Sequence, residues 1–130
     1  MGIADERNES VSAFIRPSLE SDERQLAVLG EGTFGRLPAW GPLVLLQTPY
    51  GVVVTDRRVF LVRLAKDVIA GYKPNNVEAE YPKSSISADF NGGAVIGTLR
   101  LQRPGAAALK LNVQRIFQTG ARAVADALRA

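Results

Sequence analysis

The sequence predicts a mainly β, α+β fold: about seven antiparallel strands in one series, opened by a short helix and closed by a second, amphipathic one. Three observations predict it. Between residues 77 and 113 apolar side chains recur at every second position, the period of strands with one face in a core and one in water. Short turn signals punctuate the runs: Asp56-Arg57, Asn91-Gly92-Gly93 and Pro104-Gly105. After Phe117 the period changes to that of a helix. No helix-length segment alternates with the strands, which excludes a doubly wound α/β fold.

The first element is a helix over residues 5–16. Val11, Phe14 and Ile15 stand at helical spacing, acids cluster at its start, and Pro17 marks its end. Residues 18–35 read two ways. Ser21 could cap a helix, and "QLAVLGEGTF" could equally be a strand. Glycines at 30, 32 and 35 tip the choice to a strand from about Gln25 to Phe34. "LVLLQTPYGVVVT" (43–55) is a long apolar strand with a kink expected at Pro49-Tyr50-Gly51, and "RVFLVRLA" (58–65) returns from it. "GYKPNN" (71–76) reads as a loop. Strands follow at 77–81, 86–90, 98–103 and 108–113, each alternating apolar and polar residues. In the closing helix, Phe117, Ala121, Val124 and Leu128 share a face, and Thr119 is positioned to cap its start. Phe117, Val124 and Leu128 are therefore expected to be buried.

Composition removes whole classes of chemistry. The 130 residues suggest one domain, long enough to bury a core without staples. Cysteine and histidine are both absent, so disulfides, thiolate and imidazole metal sites and His-dependent triads are excluded. No nucleophile–base pair is evident. "GEGTFG" (30–35) looks superficially like a phosphate loop but lacks the following Lys and a helix. Glu78 and Glu80 share one strand face, the ordinary appearance of a solvated edge. The expectation is a non-enzyme with no cofactor and no metal. Helix-turn-helix, zinc and RNA-recognition signatures are missing, so no nucleic-acid partner is expected. The polar N-terminus does not read as a secretory signal. The uncharged stretch 39–55 contains Pro42, Gln47 and Pro49, which argues against a spanning helix. The expected place is the cytoplasm, with peripheral attachment to the inner membrane face as the variant.

Charge is unevenly spread. Residues 1–31 hold seven acids and three arginines, and the rest holds thirteen basic residues against six acids. The acidic leader can meet the basic body of the same chain, or the body can meet an anionic partner.

The wording of "GVVVTDRRVFLVR" resembles the central hairpin of bacterial pleckstrin-homology-like (PH-like) domains, an apolar strand ending in Thr-x-Arg-Arg and resuming as an apolar strand. "YPKSSISADF" resembles the element that follows there, and "TLRLQRPGAAALKLNV" with its helix resembles their last hairpin. The resemblance covers about residues 23–130, leaving 1–22 as an N-terminal helix and linker. It implies a seven-stranded antiparallel barrel closed by the C-terminal helix, with a ligand end formed by the loops after strands one, three and six. Arg36, Trp40, Lys66, Lys73 and Arg103 are the binding residues it implies there. The first loop offers a single cation, Arg36, where phosphoinositide-reading members carry several. Thr55-Asp56-Arg57-Arg58 would be a structural turn at the opposite end, Asp56 bonding its own backbone and the arginine heads lying in water.

Two functions remain in view. One is a non-catalytic interaction module that binds protein, itself included, with Val11, Phe14 and Ile15 of the first helix packing on a neighbouring chain. The other is a peripheral binder of anionic lipid headgroups or a phosphorylated ligand through a basic barrel mouth.

Overall fold

Val52, Val53 and Val54 are all fully buried, which a strand achieves only when both of its faces are covered. This strand organises the molecule. In the computed structural model the described residues are 2–34, 48–67 and 71–129. They form helix α1 (Ile3–Ile15), strands β1 (Gln25–Phe34), β2 (Thr48–Thr55), β3 (Arg58–Asp67), β4 (Gly71–Pro82), β5 (Ser87–Asn91), β6 (Ile96–Gln102) and β7 (Leu109–Gln114), and helix α2 (Gln118–Arg129). The strands make one antiparallel sheet in the order β4-β3-β2-β1-β7-β6-β5, with β4 and β5 as its two edges. Among the described residues, the pair Thr33 with Asn112 joins the β1–β4 half to the β5–β7 half.

The halves share one apolar core. Leu29, Val52, Val54, Val59 and Leu61 from the first meet Leu99, Leu101, Leu111 and Val113 from the second, so the sheet curls and its inner face looks in on itself. Phe117, Ala121, Val124 and Ala125 of α2 fill this interior. Leu128, in the last turn, is half-buried against the same cluster rather than fully enclosed. Gly120 sets how closely α2 lies: a β-carbon there would stand 2.6 Å from the Val28 carbonyl oxygen. Thr119 is not the cap expected of it. A 3₁₀ turn, Arg115–Phe117, leads into α2, which has already begun at Gln118.

The second covering belongs to α1, which packs on the outer face of the same sheet. Val11 and Ile15 sit among Val53, Phe60, Val62 and Leu64, fringed by Leu19, Val28 and Tyr72. Gly51 permits this contact, since a β-carbon there would lie 3.0 Å from both Val11 methyls.

Two strands depart from the sequence reading. The segment read as a loop, 71–76, is the first half of β4, paired residue for residue from Asp67–Gly71 to Leu64–Pro74. Pro74 fits there because β4 is an edge of the sheet, and edge strands are where proline is tolerated. The polar Asn75 and Glu78 are absorbed as register shifts against β3. The kink expected at Pro49–Gly51 is instead an irregularity in β1 between Leu29 and Gly32, while β2 runs through. The expected start of that strand, 43–47, lies outside the described residues.

Candidate functional site

Val54 pairs with Val59, and the chain between them turns through Asp56 and Arg57. The turn is closed by Thr55, not by Asp56: its hydroxyl oxygen accepts from the backbone N–H of Arg57 (3.1 Å) and Arg58 (2.9 Å) and donates to Glu23 Oε2 (2.6 Å). Asp56 instead accepts from the Arg24 N–H at 3.1 Å, tying the turn to the start of β1. Nor do both arginine heads lie in water. Arg57 donates to Glu20 and, at 2.6 Å, to Asp22. Arg58 donates to both oxygens of Glu23, to Glu80 at 2.7 Å and to the Ser18 carbonyl at 3.1 Å, with its guanidinium 4.7 Å above the Phe60 ring. The acidic leader and these basic residues therefore meet each other. Hydrogen bonding from Arg58 holds the Glu23 carboxyl down at about 2 against the opposing effect of its burial. The same carboxylates push Arg58 above the ordinary arginine range. With its donors so committed, this turn is scaffolding.

Of the residues expected at the ligand end, three lie among the described residues. Arg36 and Trp40 lie outside the described residues. Lys66 and Lys73 stand on adjacent strands near the β3–β4 connection, opposite Tyr72 and Ala65 respectively, and Lys73 has an interaction of its own. Arg103 closes the β6–β7 turn, donating from Nε (3.2 Å) and Nη2 (2.9 Å) to the Ala107 carbonyl. Its charge is felt by Tyr50 of β2. Burial and the neighbouring Glu78 raise the Tyr50 hydroxyl to about 12, while Arg63 and Arg103 act the other way. The sequence reading gave Tyr50 and Arg63 no role and took Glu78 as part of a solvated edge. Arg63 is directly opposite Tyr50 across β2–β3 and donates to Glu78 at 3.4 Å, so charges of both signs surround Tyr50.

Of the three residues expected to meet a neighbouring chain, Val11 and Ile15 are buried in their own, at 1% and 0% exposure, and Phe14 is 37% exposed. An amphipathic helix so short takes its stability from the surface it covers, and the outer face of β2–β3 supplies that surface. Arg7 fastens the helix through an ion pair with Glu31. Burial pushes the Glu31 carboxyl up and Arg7 opposes it. One polar atom in this seam, Asn8 Oδ1, is buried without a hydrogen-bond partner among the described residues.

A different apolar surface is open. Val95, Ile96 and Ile116 are 74%, 43% and 52% exposed and line a shallow cleft of about 380 Å³ with Gln114 and Arg115. The hairpin carrying Val95 is held firmly. Gln118 brackets Gly93, donating to its carbonyl (2.9 Å) and accepting from its N–H (3.3 Å), and the Arg115 N–H donates to the Val95 carbonyl (3.0 Å). Arg122 lies alongside, its guanidinium 5.4 Å from the Phe90 ring. Neither Arg115 nor Arg122 has an ion pair among the described residues. The sequence signal was "AVI" directly after Asn-Gly-Gly, where a turn ordinarily carries polar residues.

Among the described residues no group of three or more acidic, histidine or cysteine side chains could hold a metal ion, and no helix is long and apolar enough to cross a membrane. No protein-family model matches the chain, and no curated protein matches it in sequence.

Proposed function

We propose that this chain is a non-catalytic interaction module built on a PH-like barrel, and that it binds protein, other copies of itself included. The architectural part rests on the curled seven-stranded sheet whose halves share a core filled by α2, together with the hairpin wording of residues 51–63. The observation that carries the function is the Val95–Ile96–Ile116 surface. Val95 and Ile96 on the β5–β6 hairpin and Ile116 on the turn before α2 are held together by the hydrogen bonds of Gln118 and Arg115 to that hairpin, so little ordering entropy is lost when a partner covers them. Arg115 lines the surface and Arg122 lies nearby against Phe90, neither with an ion pair among the described residues. The partner segment it fits carries apolar and acidic side chains together. A second copy would meet it head to tail, through apolar and acidic residues elsewhere on its surface, because a two-fold axis would set this cationic surface against its own copy.

The test is solution mass by light scattering, for the full chain and for the Val95→Asp/Ile116→Asp variant. The expected result is an oligomer that the double substitution converts to a monomer with an unchanged melting temperature. A full chain that stays monomeric at the highest attainable concentration, or an oligomer indifferent to the substitutions, defeats self-association through this surface. Deleting α1 would not serve, because it uncovers Val53, Phe60 and Val62.

The alternative, an anionic headgroup or phosphorylated ligand at the barrel mouth, has less behind it. Arg103 is spent on its own turn and Arg63 on Glu78.

A further inference from the structure

The outer face of β5–β7 carries a second cleft, about 410 Å³, lined by Asp89, Asn91, Thr98, Arg100, Lys110 and Asn112. Pairing arranges these six as two rows running across three strands. Asp89 is opposite Arg100 and Arg100 opposite Lys110; Asn91 is opposite Thr98 and Thr98 opposite Asn112. Paired residues in an antiparallel sheet share a face, and strand neighbours lie about 5 Å apart. Arg100 and Lys110 thus stand side by side with like charge, an arrangement that costs stability.

Six arginines elsewhere are answered by carboxylates. Arg7, Arg16, Arg57, Arg58, Arg63 and Arg129 each have a carboxylate partner. Arg100 and Lys110 have none among the described residues. The nearest acid, Asp89, lies 4.0 Å from Arg129 at the sheet edge. Two adjacent cations, flanked by an amide and a hydroxyl that can donate, make a receptor for a compact dianion. The guanidinium offers a fork of N–H groups and the ammonium a point charge.

We propose that this cleft binds a phosphate monoester group, its dianion between Arg100 and Lys110 with donation from Asn112 and Thr98. Asp89 repels negative charge from the β5 side. The dianion therefore sits over β6 and β7, and the uncharged remainder of the ligand lies toward Asn91. This site shares the outer sheet face with Ile96 and Gln114 of the apolar hairpin surface, one row further along β6 and β7, and it stands whether or not the protein-binding reading does.

The experiment is a titration of the full chain with inorganic phosphate at low ionic strength, followed by backbone amide chemical shifts. It is repeated for Arg100→Gln/Lys110→Gln and for Arg16→Gln, an exposed cation paired with Glu9 on the far helix, as a control outside the cleft. The proposal expects saturable shifts centred on residues 98–100 and 110–112, at least ten-fold weaker binding in the double variant, and no change in the control. These substitutions lie on a solvated face, so the variant's own amide spectrum verifies its folding. A parallel arm sediments the protein with phosphatidylcholine vesicles with and without phosphatidic acid. Capture dependent on phosphatidic acid and on Arg100 and Lys110 identifies a lipid headgroup as the source. Phosphate saturation without vesicle capture identifies a soluble phosphate ester. Shifts centred elsewhere, binding unaffected by the double substitution, or no saturable response in either arm overturns the proposal.

Discussion

On the outer face of β2 and β3, the side chains are Val53, Phe60, Val62 and Leu64, and α1 lies across them. On the outer face of β5, β6 and β7 they are Asp89, Asn91, Thr98, Arg100, Lys110 and Asn112, and no described element covers them. The inner faces of the two halves are alike and share one core. The same sheet is therefore a three-layer structure at one end and a two-layer structure at the other. The charges follow the layers. Around the covered half nearly every arginine is paired to a carboxylate, from Arg7–Glu31 to Arg58–Glu23 and Arg63–Glu78. Around the bare half Arg100, Lys110, Arg115 and Arg122 have no ion pair among the described residues. The covered half has used its surface internally, and the bare half has kept its surface for something else.

The widest separation between the halves should appear on truncating one residue from each outer face. Phe60→Ala removes a fully buried ring beneath α1 and is expected to cost about 3–5 kcal/mol. Thr98→Ala, in the bare cleft, should stay within about 0.5 kcal/mol. Urea unfolding of both variants gives the comparison directly. A Phe60→Ala protein within 1 kcal/mol of Thr98→Ala, about the width of an ordinary surface effect, would mean that α1 is not docked on this face in solution.

A smaller effect should come from wedging α1 off its seat. In Gly51→Val the new side chain must enter space now held by the Val11 methyls. Overpacking of this kind costs about 1–3 kcal/mol. It should also raise amide exchange in α1 while leaving β5–β7 protected. Equal loss of protection in both halves would show that the helix and the far strands unfold as one unit, and the contrast drawn above would lose its meaning.

The bare half is the half the sequence described best. In "ISADF", "TLRLQR" and "ALKLNV" strict alternation announced one wet face, and Ala88, Leu99, Leu101, Leu109, Leu111 and Val113 are the buried set. The covered half was harder to read, because period two disappears when both faces are dry. Val52-Val53-Val54 and Val59 to Val62 gave strands without saying what lay on either side. The missing information was tertiary. Val11 and Ile15 were recognised as needing a surface, and the unclaimed faces of Val53, Phe60 and Val62 were that surface. Local signals also misled where an edge relaxed the usual rules: Pro74 and Asn75-Asn76 read as a loop because a central strand would not tolerate them. Leu128 was placed on the correct helix face, but its last-turn position leaves it half-buried, so Val124 is the residue whose replacement by Asp would bury an unpaired charge. The surface at Val95, Ile96 and Ile116 escaped notice because its two parts lie about twenty residues apart in sequence, and only the fold brings the "AVI" after the turn beside Ile116.

Acid should act on the covered half first. The folded Glu23 carboxyl titrates at about 2, below its ordinary 4.5, because Arg58 donates to it. For a carboxylate with a depressed folded pKa, the stabilisation is complete above the unfolded value. It fades as pH falls through the window from about 5 to about 2. Glu31 has the opposite sign, since burial raises its pKa and lowering the pH relieves an unfavourable charge. Urea midpoints of wild type and Glu23→Gln at pH 7 and pH 3 separate them. The variant should be less stable at pH 7 and should lose less on acidification. A variant that keeps the full wild-type loss would show that acid sensitivity originates elsewhere, and the charge pairing of the covered half would no longer distinguish it.

The smallest expected change is also the sharpest test of why the bare face is bare. Lys110 is directly opposite Arg100 on β6–β7. Replacing it with Glu turns a like-charge neighbour into an opposite-charge one, and such cross-strand pairs contribute about 0.2–1 kcal/mol. Lys110→Glu should therefore raise the melting temperature slightly at low salt. The gain should shrink in high salt, because exposed charges are screened. The same substitution puts a carboxylate where the phosphate dianion is proposed to sit and should abolish phosphate-induced shifts at residues 98–100. Stability and binding then move in opposite directions on one residue. A surface shaped only by solubility would give no such opposition, and a site that maintains two adjacent cations against their own repulsion requires it. If Lys110→Glu lowers stability, or leaves phosphate binding intact, the like-charged pair is an incidental feature of a solvated sheet, and the two faces differ only in whether a helix covers them.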